Sequence, residues 1–191
     1  MKNTSFIAII ISGFFINSLS AQLENRFSIG PRIGVNFANI NQSNTSALTG
    51  LVAGITSTYS INETSGLTID ALFSGESYKT NSTEVQLDYL RIPIFYNSFF
   101  GKLGESFRPK IYLGIAPGFL IQATNNDADI KNQYKSSIID FGGGIGFNYR
   151  LANRVWLNAD LRAFLGLSPL AQTGDAKNRT LQLSLGVAHG F

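Results

Sequence analysis

Nine charged residues are spaced so that an extended chain would turn them all to one side: Arg32, Asp70, Glu76, Arg91, Lys110, Asp140, Arg150, Asp160 and Arg162. Their companions on that side are largely glycines and small polar residues, so in a closed structure these charges would share a confined space. An ion left unpaired there costs on the order of several kcal/mol, and the cations Arg32, Lys110, Arg150 and Arg162 are expected to interleave with Asp70, Glu76, Asp140 and Asp160. Asp160 and Arg162 leave two chemistries open. In a water-filled channel they would form an ion path or a substrate clamp, and in a filled one a salt-bridge plug.

Other chemistry finds little support. His189 is the one histidine and cysteine is absent, which removes paired-histidine and thiolate metal sites, disulfides, a lipid-modified cysteine anchor and cysteine nucleophiles. A Ser-His-Asp arrangement built on His189, of the kind a lipid-modifying enzyme would use, lacks an accompanying GxSxG. The run Gly142-Gly143-Gly144-Ile145-Gly146 fails as a dinucleotide fingerprint because position 147 is Phe, and Gly101-Lys102 fails as a phosphate loop because position 96 is Tyr. Those glycines are expected instead to reduce bulk or bend a strand. No catalytic residue, metal or cofactor is expected.

What must position the charges is an extended framework. Residues 27 to 38 alternate, with Phe27, Ile29, Pro31, Ile33, Val35 and Phe37 on one face and Ser28, Gly30, Arg32, Gly34, Asn36 and Ala38 on the other. The same alternation recurs where Val155, Leu157, Ala159, Leu161, Ala163 and Leu165 oppose Trp156, Asn158, Asp160, Arg162 and Phe164. It recurs again where Leu181, Leu183, Leu185 and Val187 oppose Gln182, Ser184 and Gly186. Further strands are expected at about 48 to 60, 66 to 78, 84 to 97, 107 to 122 and 137 to 150, giving eight, an even number as bacterial single-chain barrels require. In the fourth, Val85 and Leu87 are out of phase with Leu90, Ile92, Ile94 and Tyr96, which predicts a bulge near Asp88 or Tyr89.

The chain has 191 residues, one domain's worth, and begins as a secretory signal: basic Lys2, an apolar run from Phe6 to Phe15, then Ser18-Leu19-Ser20-Ala21. Residues 1–21 are read as a cleaved signal peptide and 22–191 as the working domain. Charged residues make up 14% of the chain, against about 25% in soluble domains. The net charge of +3 is too small and scattered for a nucleic-acid surface.

Alternation alone fits a soluble lipocalin-like carrier with an apolar interior as well as a membrane barrel with an apolar exterior. Residue size separates them, because five or six large side chains from each of eight strands would overfill a small barrel, whereas glycines and charges would fit its narrow lumen. The expectation is an all-β, eight-stranded, antiparallel up-and-down transmembrane β-barrel in the outer membrane of a Gram-negative bacterium, apolar face outward to lipid. Phe27, Tyr59, Tyr96, Phe107, Tyr149 and Phe191 would form an aromatic girdle at the rim that carries the termini, placed in the periplasm. Outer connections are expected at Asn39 to Ala47, Lys79 to Thr83, Ala123 to Ser136 and Ser168 to Asn178. On the periplasmic side, Ser98 to Ser106 is an unusually long connection.

Two central stretches, Tyr89-Leu90-Arg91-Ile92-Pro93-Ile94 and Pro109-Lys110-Ile111-Tyr112-Leu113-Gly114-Ile115-Ala116-Pro117-Gly118, resemble the Bacteroidetes outer-membrane β-barrel family typified by PorT. Asp140-Phe141-Gly142, followed by Gly144 and Gly146, is similar to that family's sixth-strand pattern. The resemblance implies a barrel over the whole mature chain that tolerates prolines in its strands, and it implies no shared catalytic residue. The final alternation through Leu183, Leu185, Val187 and Phe191 resembles the signal read by outer-membrane barrel assembly machinery. The expected function is a structural, adhesive or accessory barrel with a plugged lumen; a narrow pore for small solutes and a soluble carrier are the alternatives.

Overall fold

A chain whose apolar and small polar residues alternate separates the two sets only when extended, because successive side chains of a strand point to opposite faces. The computed structural model describes residues 26–80, 83–126 and 128–191, and it is built almost wholly of antiparallel strands. They are β1 (Phe27–Ile40), β2 (Thr45–Ser60), β3 (Ser65–Gly75), β4 (Tyr78–Thr80), β5 (Glu84–Arg91), β6 (Ile94–Phe99), β7 (Phe107–Asn125), β8 (Ala128–Asp129), β9 (Ser137–Ala152), β10 (Val155–Pro169) and β11 (Lys177–Gly190). The expected signal peptide, 1–21, lies outside the described residues.

Neighbours in sequence pair around the sheet, and β1 then pairs with β11, from Ser28 opposite Gly190 to Ile40 opposite Asn178. The sheet thus closes in a ring. Closure matters because a strand edge left open in lipid would carry unpaired backbone N–H and C=O groups, each a cost of several kcal/mol by order of magnitude.

Among the described residues eleven strand segments stand where the sequence leads one to expect eight. The third expected strand breaks after Gly75, where Glu76 turns its amide to Leu87 O at 2.7 Å, and resumes as β4. The fourth breaks at Ile92-Pro93, since proline has no N–H to give the ladder. The ring is not opened there: Asp70 N donates to Pro93 O at 3.1 Å and Ile92 N to Pro117 O at 2.9 Å. The remaining segment, β8, is a two-residue return pairing with the end of β7.

The phase conflict in β5 resolves differently from expectation. Val85, Leu87, Tyr89 and Arg91 are all buried while Leu90 is exposed, so β5 keeps one phase and its early apolar residues point into the ring. The register does shift at Asp88/Tyr89, but the extra residue is on β7, where Ile121 and Gln122 are both exposed between buried Leu120 and Ala123. The connections at the end away from the termini are also shorter than expected. β1 runs on to Ile40 and β2 starts at Thr45, leaving only residues 41–44 between them.

Outside the ring, Ile33, Leu51, Ile111, Ile145, Leu161 and Leu183 are exposed, Ile33 at 63%. The aromatic rim residues are exposed as well, with Phe27 opposite Tyr59 and Phe107 opposite Tyr149. Apolar side chains are nevertheless not confined to the outside. Ile40, Tyr78, Val85, Leu87, Tyr89, Leu120, Ile138 and Leu170 form a buried cluster at the loop end, and Phe95, Tyr112, Ala116 and Phe164 form a smaller one.

The glycines of β9 make room for that interior. A Cβ on Gly142 would lie 2.9 Å from the rings of both Phe164 and Phe95, and one on Gly144 would lie 2.8 Å from the Tyr112 hydroxyl. On Gly146 it would collide with the Asp160 carboxylate.

Candidate functional site: the buried charge network

β1, β3, β7 and β10 each turn one or two charged residues inward at alternate positions, and the ring brings them together. Asp160 on β10 accepts from Arg32 Nη1 at 2.6 Å through one oxygen and pairs with Lys110 Nζ at 2.9 Å through the other. Asp70 on β3 accepts from Arg162 Nη1 at 2.6 Å. Longer contacts close the group, Arg32 Nε to Asp70 at 3.7 Å and Arg162 Nη2 to Asp160 at 3.8 Å. Ser184 Oγ at 2.9 Å and Thr56 Oγ1 at 3.3 Å take further Arg32 hydrogens. Three cations thus face two carboxylates, with Arg32 and Arg162 each only 1% exposed.

A second group has the opposite balance, one cation between two carboxylates. Arg91 meets Glu76 in a two-pronged contact, Nε to Oε1 at 2.8 Å and Nη2 to Oε2 at 2.5 Å. The same Nη2 reaches Asp140 Oδ2 at 2.8 Å, and Nη1 donates to Ala116 O at 3.1 Å. Asn178 Nδ2 donates to both carboxylates at 2.8 Å. Across the two groups, four cations meet four carboxylates and the formal charge is zero.

Neutral side chains join them. Gln182 Oε1 lies 3.5 Å from Arg162 Nη1, and Gln182 Nε2 donates to Asn36 Oδ1 at 3.0 Å. Asn36 Nδ2 in turn donates to Ser74 Oγ at 2.8 Å, and Ser74 Oγ donates to Glu76 Oε1 at 2.9 Å. Aromatic faces fill the remaining space, with Arg162 5.2 Å from the Phe95 ring centre and Lys110 5.4 Å from that of Tyr112.

Arg150 does not belong to this network. It lies exposed at the terminal rim, where Nη1 donates to Gly104 O at 3.0 Å and Nη2 to Ser106 Oγ at 3.0 Å, because β9 carries it past the level of the carboxylates. The members that sequence reasoning missed are uncharged: Asn36, Thr56, Ser74, Asn178, Gln182 and Ser184. Their inward phase was visible, but for Asn178 it was obscured because β11 begins one residue earlier than the expected loop ends.

His189 points outward, edge-on to the Phe191 ring at 4.8 Å, and Leu183, Leu185, Val187 and Phe191 are exposed in the same row. A soluble carrier would need its large apolar residues inside a ligand cavity. Here they form the outer surface, and charges occupy the middle of the interior.

A family profile described as "Outer membrane protein beta-barrel domain" matches residues 6–188. No curated protein sequence matches the chain. Among solved structures, the chain is similar to Neisserial surface protein A (NspA), with a TM-score of 0.62 and 19% identity over 86% of this chain and 97% of that one. OprG from Pseudomonas aeruginosa gives a TM-score of 0.58 and 14% identity over 86% and 95%. The N-terminal β-barrel domain of Pseudomonas aeruginosa OprF gives 0.54 and 14% over 87% and 98%. At such identities the likeness concerns the fold. Together with the closed ring and its apolar exterior, the profile match shows that the chain belongs to the outer membrane protein beta-barrel domain family and is an integral protein of the Gram-negative outer membrane.

Proposed function

We propose that the protein is a sealed barrel, held in lipid by its apolar outer face, that serves a structural, adhesive or accessory role at its loop end rather than conducting solutes. One observation carries this reading: the middle of the lumen is occupied by eight buried, mutually paired charges linked through Gln182, Asn36 and Ser74. The apolar cluster around Tyr89 and Leu120 supports it by filling the loop end. Single-channel recording in planar bilayers tests it, with no steady conductance steps expected. Stable openings would overturn the sealed reading in favour of a narrow pore.

We further propose that the chain belongs to the PorT-like branch, on the resemblance of three stretches that are neighbours in the ring. Arg91 is opposite Gly118 and Asp140 opposite Ala116, so the motifs supply both partners of the Arg91–Asp140 ion pair. The outward row of β11, which includes Leu183, Leu185, Val187 and Phe191, is the surface we assign to the barrel assembly machinery.

A further inference from the structure

The long connection at the terminal rim, Phe100 to Ser106, folds back against the mouth of the ring and helps wall a cavity of about 210 Å³. Four arginines line it: Arg26, Arg108, Arg150 and Arg154. Their electrostatics differ from those of the lumen above. Among the described residues none of the four is within ion-pair distance of a carboxylate, whereas every lumenal cation is.

Three of them, Arg26, Arg108 and Arg150, are held by neutral oxygens instead. Arg108, 3% exposed, donates through Nη2 to Glu63 O at 2.8 Å and lies 4.0 Å over the Phe99 ring. Arg150 is fixed by Gly104 O and Ser106 Oγ, and Arg26 Nη1 reaches Ile61 O at 3.3 Å. Burial is the largest influence on Arg108 and disfavours its charge, while Glu105 favours that charge from a distance without pairing with it. Backbone carbonyls orient a guanidinium but do not neutralise it, so the cavity keeps its positive charge.

We propose that this mouth cavity is a binding site for a phosphate group. A carboxylate offers two oxygens in one plane. A phosphate offers several in a tetrahedral array and carries up to two charges, which suits a cavity lined by several guanidinium groups. Ser28, Thr58 and Ser60 line the cavity beside them, the Thr58 hydroxyl hydrogen-bonded to that of Thr68 at 2.9 Å. The volume is below the roughly 300 Å³ at which pockets begin to hold drug-sized molecules, so the occupant is a small phosphate compound or a single headgroup. The site stands whether or not the lumen beyond it is sealed.

Trp156, the one tryptophan of the chain, lines the cavity and reports its occupancy. The protein, folded in a phosphate-free non-ionic detergent, is titrated with inorganic phosphate and with glycerol 3-phosphate, chloride holding ionic strength constant. A saturable change in Trp156 fluorescence is expected, and acetate should bind more weakly. Arg154→Asn is the main variant, because Arg154 has φ 62, a conformation asparagine accepts, so the charge is removed without backbone strain. Losing one charge-assisted contact should weaken phosphate binding about tenfold, and Arg150→Gln should do the same.

Phosphatidylglycerol added to the micelles separates the sources. Response to the soluble phosphates supports a free ligand. Response to the lipid alone supports a headgroup. A signal that tracks ionic strength whatever the anion, no signal from any phosphate, or unchanged affinity in both variants would overturn the proposal.

Discussion

Asp160→Ala is expected to destabilise the folded ring by about 3–5 kcal/mol, the cost of removing one partner from a buried ion pair. Asp160 answers two cations directly, Arg32 through one oxygen and Lys110 through the other, and stands 3.8 Å from a third, Arg162. Without it, three buried cations keep only Asp70. The destabilisation arises less from lost attraction than from positive charge left where water cannot reach. Equilibrium unfolding in urea with lipid vesicles gives the difference directly. Combining the substitution with Lys110→Met should recover part of it, since one of the stranded cations is then gone. A loss below about 1 kcal/mol, the range of exposed pairs, would mean that water reaches the network and that the interior is not closed.

Leu161→Arg is expected to cost about 2–4 kcal/mol in the same assay, the range for a cation on the lipid face near the bilayer midplane. Leu161 is opposite Leu183 on one side and Ile145 on the other, in the middle of an uninterrupted apolar band. Val155 belongs to the same row of β10 but lies at the terminal rim, opposite His189. Val155→Arg should therefore cost only about 0–1 kcal/mol, because the side chain reaches the interface. Equal costs at the two positions would contradict a bilayer centred on Leu161.

Which of these features could be read in the chain depends on how local the deciding interaction is. The outward face was legible because alternation in β1, β10 and β11 is a property of consecutive residues. The inward position of Asp160 and Arg162 followed from the same phase. The inward turn of Val85 and Leu87 was not legible, since it depends on Leu120 and Ile138 arriving from other strands to complete an apolar cluster. The phase conflict points to a bulge beside the correct residues but on the wrong strand. A phase conflict seen along β5 cannot show that β7 carries the additional residue.

Arg150 shows the limit for the site itself. Phase gives the face a residue occupies but not its depth along the ring, so a rim arginine and a lumenal one look alike in sequence. The neutral members were missed for the opposite reason. Asn36 and Gln182 matter only because 146 residues of separation are brought to 3.0 Å.

Closure of the ring through β1 and β11 also governs the order of events in folding. Arg32 and Asp160 are 128 residues apart, and Asp70 and Arg162 are 92 apart, so neither pair forms as a local unit while the chain is incomplete. In a half-closed sheet Arg32 lacks Asp160, its counter-ion, which is on a strand that has not arrived. Such intermediates are penalised, and long-range closure is slow because chain entropy is lost before these contacts compensate for it. Once β11 locks against β1, opening any one seam exposes charges across the whole width of the lumen. The finished ring should therefore open slowly and as a single unit.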